Sequence, residues 1–198
     1  SQDDQHAELA FEAVRSVPFK TLVYVLNASQ LGTQDDLNLL ERIREEIGPR
    51  RRNPFCFVLN KVDLLDPEKG EDLAECVANA RSYLSGIGFK SPAIIPCVAN
   101  AALYARKALA DEPLTRVQRR ALQQALDDFP ADSHDLLESA QVPKRVKKRV
   151  FQTLKRLEKV QQNNLSKQLP TLETELQQLV ACSGLGTIEA FIKHKHQH

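Results

Sequence analysis

Three runs rich in β-branched and aromatic residues alternate with helical patterns, and this alternation constrains the fold most tightly. The runs are residues 21–26, the stretch PFCFVLN ending at Asn60, and residues 93–98. Ahead of the first, DDQHAELAFEAVRSV sets Ala7, Ala10, Phe11, Val14 and Val17 at helical spacing and stops at Pro18. Between the first two, GTQDDLNLLERIREEIGP pairs Thr33 with Asp36 like a capping box. It then carries Leu37, Leu40, Ile43 and Ile47 on one face and closes on Gly48-Pro49. A helix over 71–86, with Leu73, Cys76, Val77, Ala80 and Leu84 on one face, separates the second run from the third, and another begins near Ala101. This order predicts right-handed crossovers and an α/β domain in which helices cover a parallel sheet. Ligands of such sheets sit beyond the carboxyl ends of the strands, where residues 60–63 and 98–100 fall.

From Asp111 the pattern changes. Strand-like runs cease, and charged helical stretches are broken by Pro113, Pro130, Pro143 and Pro170. The division expected is a first unit over 1–110, a helical insertion or second subdomain over 111–182, and a closing segment over 183–198. That segment reads as a Gly-rich turn and a short helix from Thr187.

The formal net charge of +1 gives no global attraction to nucleic acid or to a membrane, so any basic partner surface must be local. No apolar run approaches the roughly 20 residues that span a bilayer, and no signal-peptide pattern opens the chain. Cys56, Cys76, Cys97 and Cys182 lack disulfide or metal-ligand spacing and read as reduced structural thiols of a cytosolic protein. The sequence contains no methionine, so Ser1 is not read as a native start and the chain is expected to be a piece of a longer protein.

The apolar run Phe55-Cys56-Phe57-Val58-Leu59 stops abruptly at Asn60-Lys61-Val62-Asp63. Guanine presents two donors on one edge, its N1–H and its exocyclic amine. A carboxylate can accept both, and Asp63 is the candidate. Adenine would leave that carboxylate unsatisfied. Asn60 can donate toward the ring N7 and tie neighbouring loops together, while the stem of Lys61 can lie over the purine face. The next strand's loop should supply a backbone N–H to guanine O6, and Ala99 of Cys97-Val98-Ala99-Asn100 occupies that place.

The blocks LVYVLNASQLGTQDDLNLLERI, FVLNKVDLLDPEKGED, IIPCVANAALYARKAL and SGLGTIEAFI resemble successive parts of a bacterial dynamin-like GTPase domain, beyond its Asp-x-x-Gly switch motif. The resemblance covers 1–110 and returns at 183–192, leaving the helical stretch between without a motif. It implies part of a three-layer, parallel-sheet, P-loop GTPase-type fold with an inserted helical subdomain. It further implies GTP or GDP bound by Asn60, Lys61 and Asp63, with Ala99 and Asn100 in the loop that closes over the base. The family often has a small hydroxyl residue before the alanine; here it is Val98.

A Gly-x-x-x-x-Gly-Lys-Ser/Thr phosphate loop is missing from the sequence. SGIGFKS, with Gly86, Gly88, Lys90 and Ser91, has Phe89 where glycine is needed, and it follows a helix rather than a strand. The Asp-x-x-Gly motif and a magnesium-binding threonine loop are missing as well, so no catalytic residue and no metal ligand is assigned. The chain alone is expected to be inactive. The intact protein is expected to use Mg²⁺, to hydrolyse GTP, to self-associate through its GTPase domain, and to work in the cytoplasm with peripheral membrane contact.

The stretch VPKRVKKRVFQTLKRLEKV places Val142, Val146, Val150, Leu154 and Leu157 on one face, with Lys144, Arg145, Lys147, Lys148, Arg149, Lys155 and Arg156 around it. One reading is a bundle helix with a solvated charged face. The other is contact of residues 142–160 with an anionic membrane, nucleic acid being the less expected partner. Two alternatives to the dynamin-like reading stand beside it: a non-catalytic binding module that lost its phosphate site, and a translation-associated GTPase whose basic helix contacts RNA. His194, His196 and His198 read as a frayed tail, and His6 and His134 sit on polar helical stretches without a carboxylate or cysteine partner pattern.

Overall fold

The computed structural model describes residues 2–47, 55–128 and 134–196. Its sheet has three parallel strands in the order β1 (Leu22–Asn27), β2 (Phe55–Asn60), β3 (Ala93–Cys97). Pairing runs Leu22 with Phe55 through Asn27 with Asn60, and Cys56 with Ala93 through Asn60 with Cys97. The three strands therefore end in step, and their carboxyl ends form one rim.

Nine helices accompany the sheet among the described residues: α1 (Gln2–Ser16), α2 (Gln34–Ile47), α3 (Leu73–Gly86), α4 (Ala99–Leu109), α5 (Arg116–Asp128), α6 (Asp135–Ser139), α7 (Lys144–Ser166), α8 (Leu172–Cys182) and α9 (Leu185–His196). The expected strand and helix order over 1–110 is present, so the chain is a mixed α/β protein built on a small parallel sheet. Thr33 does cap α2: its Oγ1 accepts the Asp36 N–H at 3.3 Å and donates to Asp36 Oδ2 at 3.1 Å. The other oxygen of Asp36 accepts the Tyr24 hydroxyl at 2.7 Å, which pins the start of α2 to the sheet. Asp72 caps α3 by accepting the Ala74 N–H at 3.1 Å. The Gly48-Pro49 stop and the Pro130 break lie outside the described residues.

Side chains alternate across the sheet, so Tyr24, Phe57 and Ile94 share one face and Val25, Val58 and Ile95 the other. Phe57 stacks on Phe55 with centroids 5.4 Å apart, and Phe89 meets both rings edge-on. Helix α9 packs on β2 and β3. Val23 and Val25 of β1 stay 41% and 57% exposed, large values for strand valines.

The helices from 116 onward do not pack around a core of their own. Leu122, Val146, Val150, Leu154, Leu176 and Leu179 belong to the same buried cluster as the sheet residues. Helix α8 packs on α4, α5, α7 and α9, bridging the helical stretch and the sheet's flank. The apolar stripe of α7 is used here, with Val146, Val150 and Leu154 buried.

The outer edge of β3 is closed. Ile94 exchanges both backbone hydrogen bonds with Gln141, at 3.2 and 2.7 Å. Pro96 has no N–H to offer, and the Val98 N–H is donated to Ser183 at 2.9 Å. Gly184, at φ +89°, lies so close that an added Cβ would stand 2.1 Å from the Pro96 carbonyl oxygen.

Candidate functional site

The first two strands end in asparagines, Asn27 and Asn60, on the shared rim. Asn27 Oδ1 accepts from the Ser29 N–H at 3.3 Å and the Ser29 hydroxyl at 3.0 Å, starting a 3-10 turn after β1. After β2 comes a second 3-10 turn, Val62–Leu64, which packs on the first. Lys61 precedes it at φ 65°, ψ 33°, a left-handed conformation that a residue with a Cβ seldom adopts. That bend lets Val62 enter the core while Lys61 and Asp63 stay exposed.

Asn60 ties the second loop to the third. Its Oδ1 accepts the Ala99 N–H at 3.1 Å. Val98, at the N-cap of α4, has no hydroxyl with which to cap the helix, so an amide from the neighbouring strand takes up one of its orphan donors. The candidate residues Asn60, Lys61, Asp63, Ala99 and Asn100 thus meet on one rim, at the ends of two adjacent strands.

The arrangement differs from the sequence expectation in one respect. The Ala99 N–H assigned to guanine O6 is already donated to Asn60. The N–H of Asn100, one residue further into the first turn of α4, has no intrahelical acceptor and is the next donor along. The side-chain support expected from a hydroxyl residue at position 98 is replaced by two tertiary contacts: Ser183 accepting from Val98, and Asn60 accepting from Ala99.

The donor set suits a purine edge. Asp63 is exposed and makes no hydrogen bond or ion pair among the described residues, leaving both oxygens available to accept. With its oxygen on Ala99, Asn60 keeps its NH₂ group for donation. No family model, no curated protein and no solved structure matches the chain.

Cys56, Cys97 and Cys182 are buried and unpaired; burial pushes each thiol up to about 12, Asp63 adding to the rise at Cys97. No group of three metal-ligating side chains occurs among the described residues. One expectation is corrected. His134 does meet a carboxylate, its Nε2 lying 3.2 Å from Glu158 Oε1 with both side chains 15% exposed, though the two are not aligned as a hydrogen bond. Sequence reading missed it because the partners lie on separate elements. His194 and His196 belong to helix α9 rather than to a frayed tail, and His198 is outside the described residues.

Among the described residues, no helix is long and apolar enough to cross a membrane. With Val146, Val150 and Leu154 in the core, α7 leaves outward its charged flank together with Phe151, Val160 and Leu165.

Proposed function

We propose that this chain is the base-reading part of a dynamin-like guanine-nucleotide-binding domain of P-loop GTPase type. The observation that supports this most is the Asn60–Ala99 hydrogen bond, which joins the Asn-Lys-x-Asp turn to the loop after the next strand. In this reading Asp63 accepts from the base N1–H and amine, and Asn60 donates to N7. Lys61 covers the ring, and the Asn100 N–H serves O6. Water exclusion over the base raises the cost of an unpaired carboxylate, which is how adenine is rejected. Phosphate and Mg²⁺ chemistry requires the glycine-lysine loop and switch motif that this sequence lacks. The intact protein hydrolyses GTP, couples this to self-assembly and works in the cytoplasm at a membrane surface, where the charged flank of α7 contacts anionic lipid.

Calorimetric titration with GTP, GDP and ATP tests the reading, repeated on Asp63→Asn with xanthosine nucleotides. An amide at 63 can donate to the extra carbonyl of xanthine, so preference should move from guanine to xanthine by roughly tenfold or more. Equal binding of ATP and GTP, or a guanine preference unmoved in Asp63→Asn, overturns it.

A further inference from the structure

Helices α5, α7 and α8 line a cavity of about 320 Å³. Gln123 and Asp127 come from α5, Gln161 from α7, and Glu175 and Gln178 from α8. Leu126 and Leu172 add an apolar portion to the wall. Two carboxylates and three amides therefore share one small space, and the described lining residues include no lysine or arginine.

Packing alone does not explain Gln178. The residue is only 3% exposed, and neither its Oε1 nor its Nε2 has a hydrogen-bond partner among the described residues. A buried amide unpaired at both ends destabilises a fold, and methionine would fill the same space without that cost. The last side-chain torsion of glutamine is broad, so either end of the amide can turn to a molecule in the cavity. Asp127 is already oriented, its Oδ1 accepting from Gln123 Nε2 at 3.1 Å. The Glu175 carboxylate makes no hydrogen bond or ion pair among the described residues. The carboxylates call for positive charge, and the amide calls for groups that both donate and accept. No third ligating side chain joins the two acids among the described residues, so a metal centre does not match the set.

We infer that this cavity binds a small polyhydroxylated amine of the amino-sugar class, in its protonated form. The ammonium group pairs with Asp127 and Glu175. Adjacent hydroxyls donate to Gln178 Oε1 and accept from its Nε2, and Gln161 serves a further hydroxyl. The C–H face of the ring lies against Leu126 and Leu172. A volume of about 320 Å³ has room for one sugar ring. The inference is independent of the guanine reading, which concerns the carboxyl ends of the strands.

The test titrates glucosamine into the whole, isotope-labelled 198-residue chain near neutral pH, with side-chain amide signals followed by NMR. The buffer must be free of Tris, itself a hydroxylated amine. One glucosamine should bind per chain and shift the Gln178 NH₂ signal, which is assigned by its loss in Gln178→Met. Glucose, without the charge, and butylamine, without the hydroxyls, should each bind roughly tenfold more weakly or worse. Asp127→Asn and Glu175→Gln should each weaken glucosamine roughly tenfold. Glu173→Gln, which alters an exposed acid of α8 outside the cavity, should leave binding unchanged. Gln178→Met separates recognition from packing. It should raise the melting temperature by roughly 2–4 °C while weakening glucosamine roughly tenfold. A melting temperature that falls instead would mean that the amide is already paired, and it overturns the proposal. So does failure of glucosamine to bind, butylamine binding as tightly as glucosamine, affinity that survives Gln178→Met, or an equal loss in Glu173→Gln.

Discussion

Replacing Asn60 by aspartate keeps an acceptor for the Ala99 N–H and removes the amide donor, whereas alanine removes both. The two substitutions therefore separate the structural role of this side chain from its proposed recognition role. Asn60→Ala should cost about 1 kcal/mol, the usual consequence of losing one helix-capping acceptor. Asn60→Asp should stay within about 0.5 kcal/mol of the parent in a denaturant melt. Both should lose guanine-nucleotide affinity in the calorimeter. If alanine leaves stability untouched, the Asn60–Ala99 bond does not support α4. At this scale the sequence was informative where the chemistry is contiguous: Asn60, Lys61 and Asp63 stand within four positions and needed only a strand before them. The commitment of the Ala99 N–H was not legible, because it depends on how two loops distant in sequence are brought together. The same holds for His134 and Glu158, which only tertiary packing makes neighbours.

The helices and strands were read closely, and their ends shifted for identifiable reasons. The third strand was expected to reach residue 98 but stops at Cys97, because the Val98 N–H turns to Ser183. The amphipathic stripe of α7 was visible in sequence, but that Val146, Val150 and Leu154 of this stripe enter the core was not. Least legible was the closure of β3, since nothing local marks Gln141 as a pairing partner or places Gly184 beside Pro96. That closure makes a sharp prediction. Gly184→Ala must bring a Cβ within 2.1 Å of backbone oxygen at φ +89°, and backbone on both sides resists movement. It should cost at least about 3 kcal/mol, left-handed strain and steric overlap adding together. Gly70→Ala is the comparison: its φ is +80° but nothing lies within 4 Å, so only the strain remains, about 1 kcal/mol. Thermal melts giving equal losses for the two would show that the β3 contact is not tight.

Across the described residues, one buried cluster links the sheet to the late helices, so α5, α6, α7 and α8 contribute to the same core as the strands. What the core leaves uncovered is one face of β1. Its Val23 and Val25 are exposed, and among the described residues no backbone hydrogen bond joins its outer edge to another segment. An open edge with exposed valines recruits other strands. The chain should therefore associate as concentration rises, and Val25→Lys should reduce this in sedimentation velocity without lowering the melting temperature. Unchanged association would place the contact elsewhere. The other edge answers differently, with Ile94 tied to Gln141 and Pro96 lacking a donor. In the vocabulary of step-growth polymerisation, the sheet is a monofunctional monomer. Two copies can join through β1, but neither then presents a second reactive end, so edge pairing terminates at the dimer instead of propagating into a fibre.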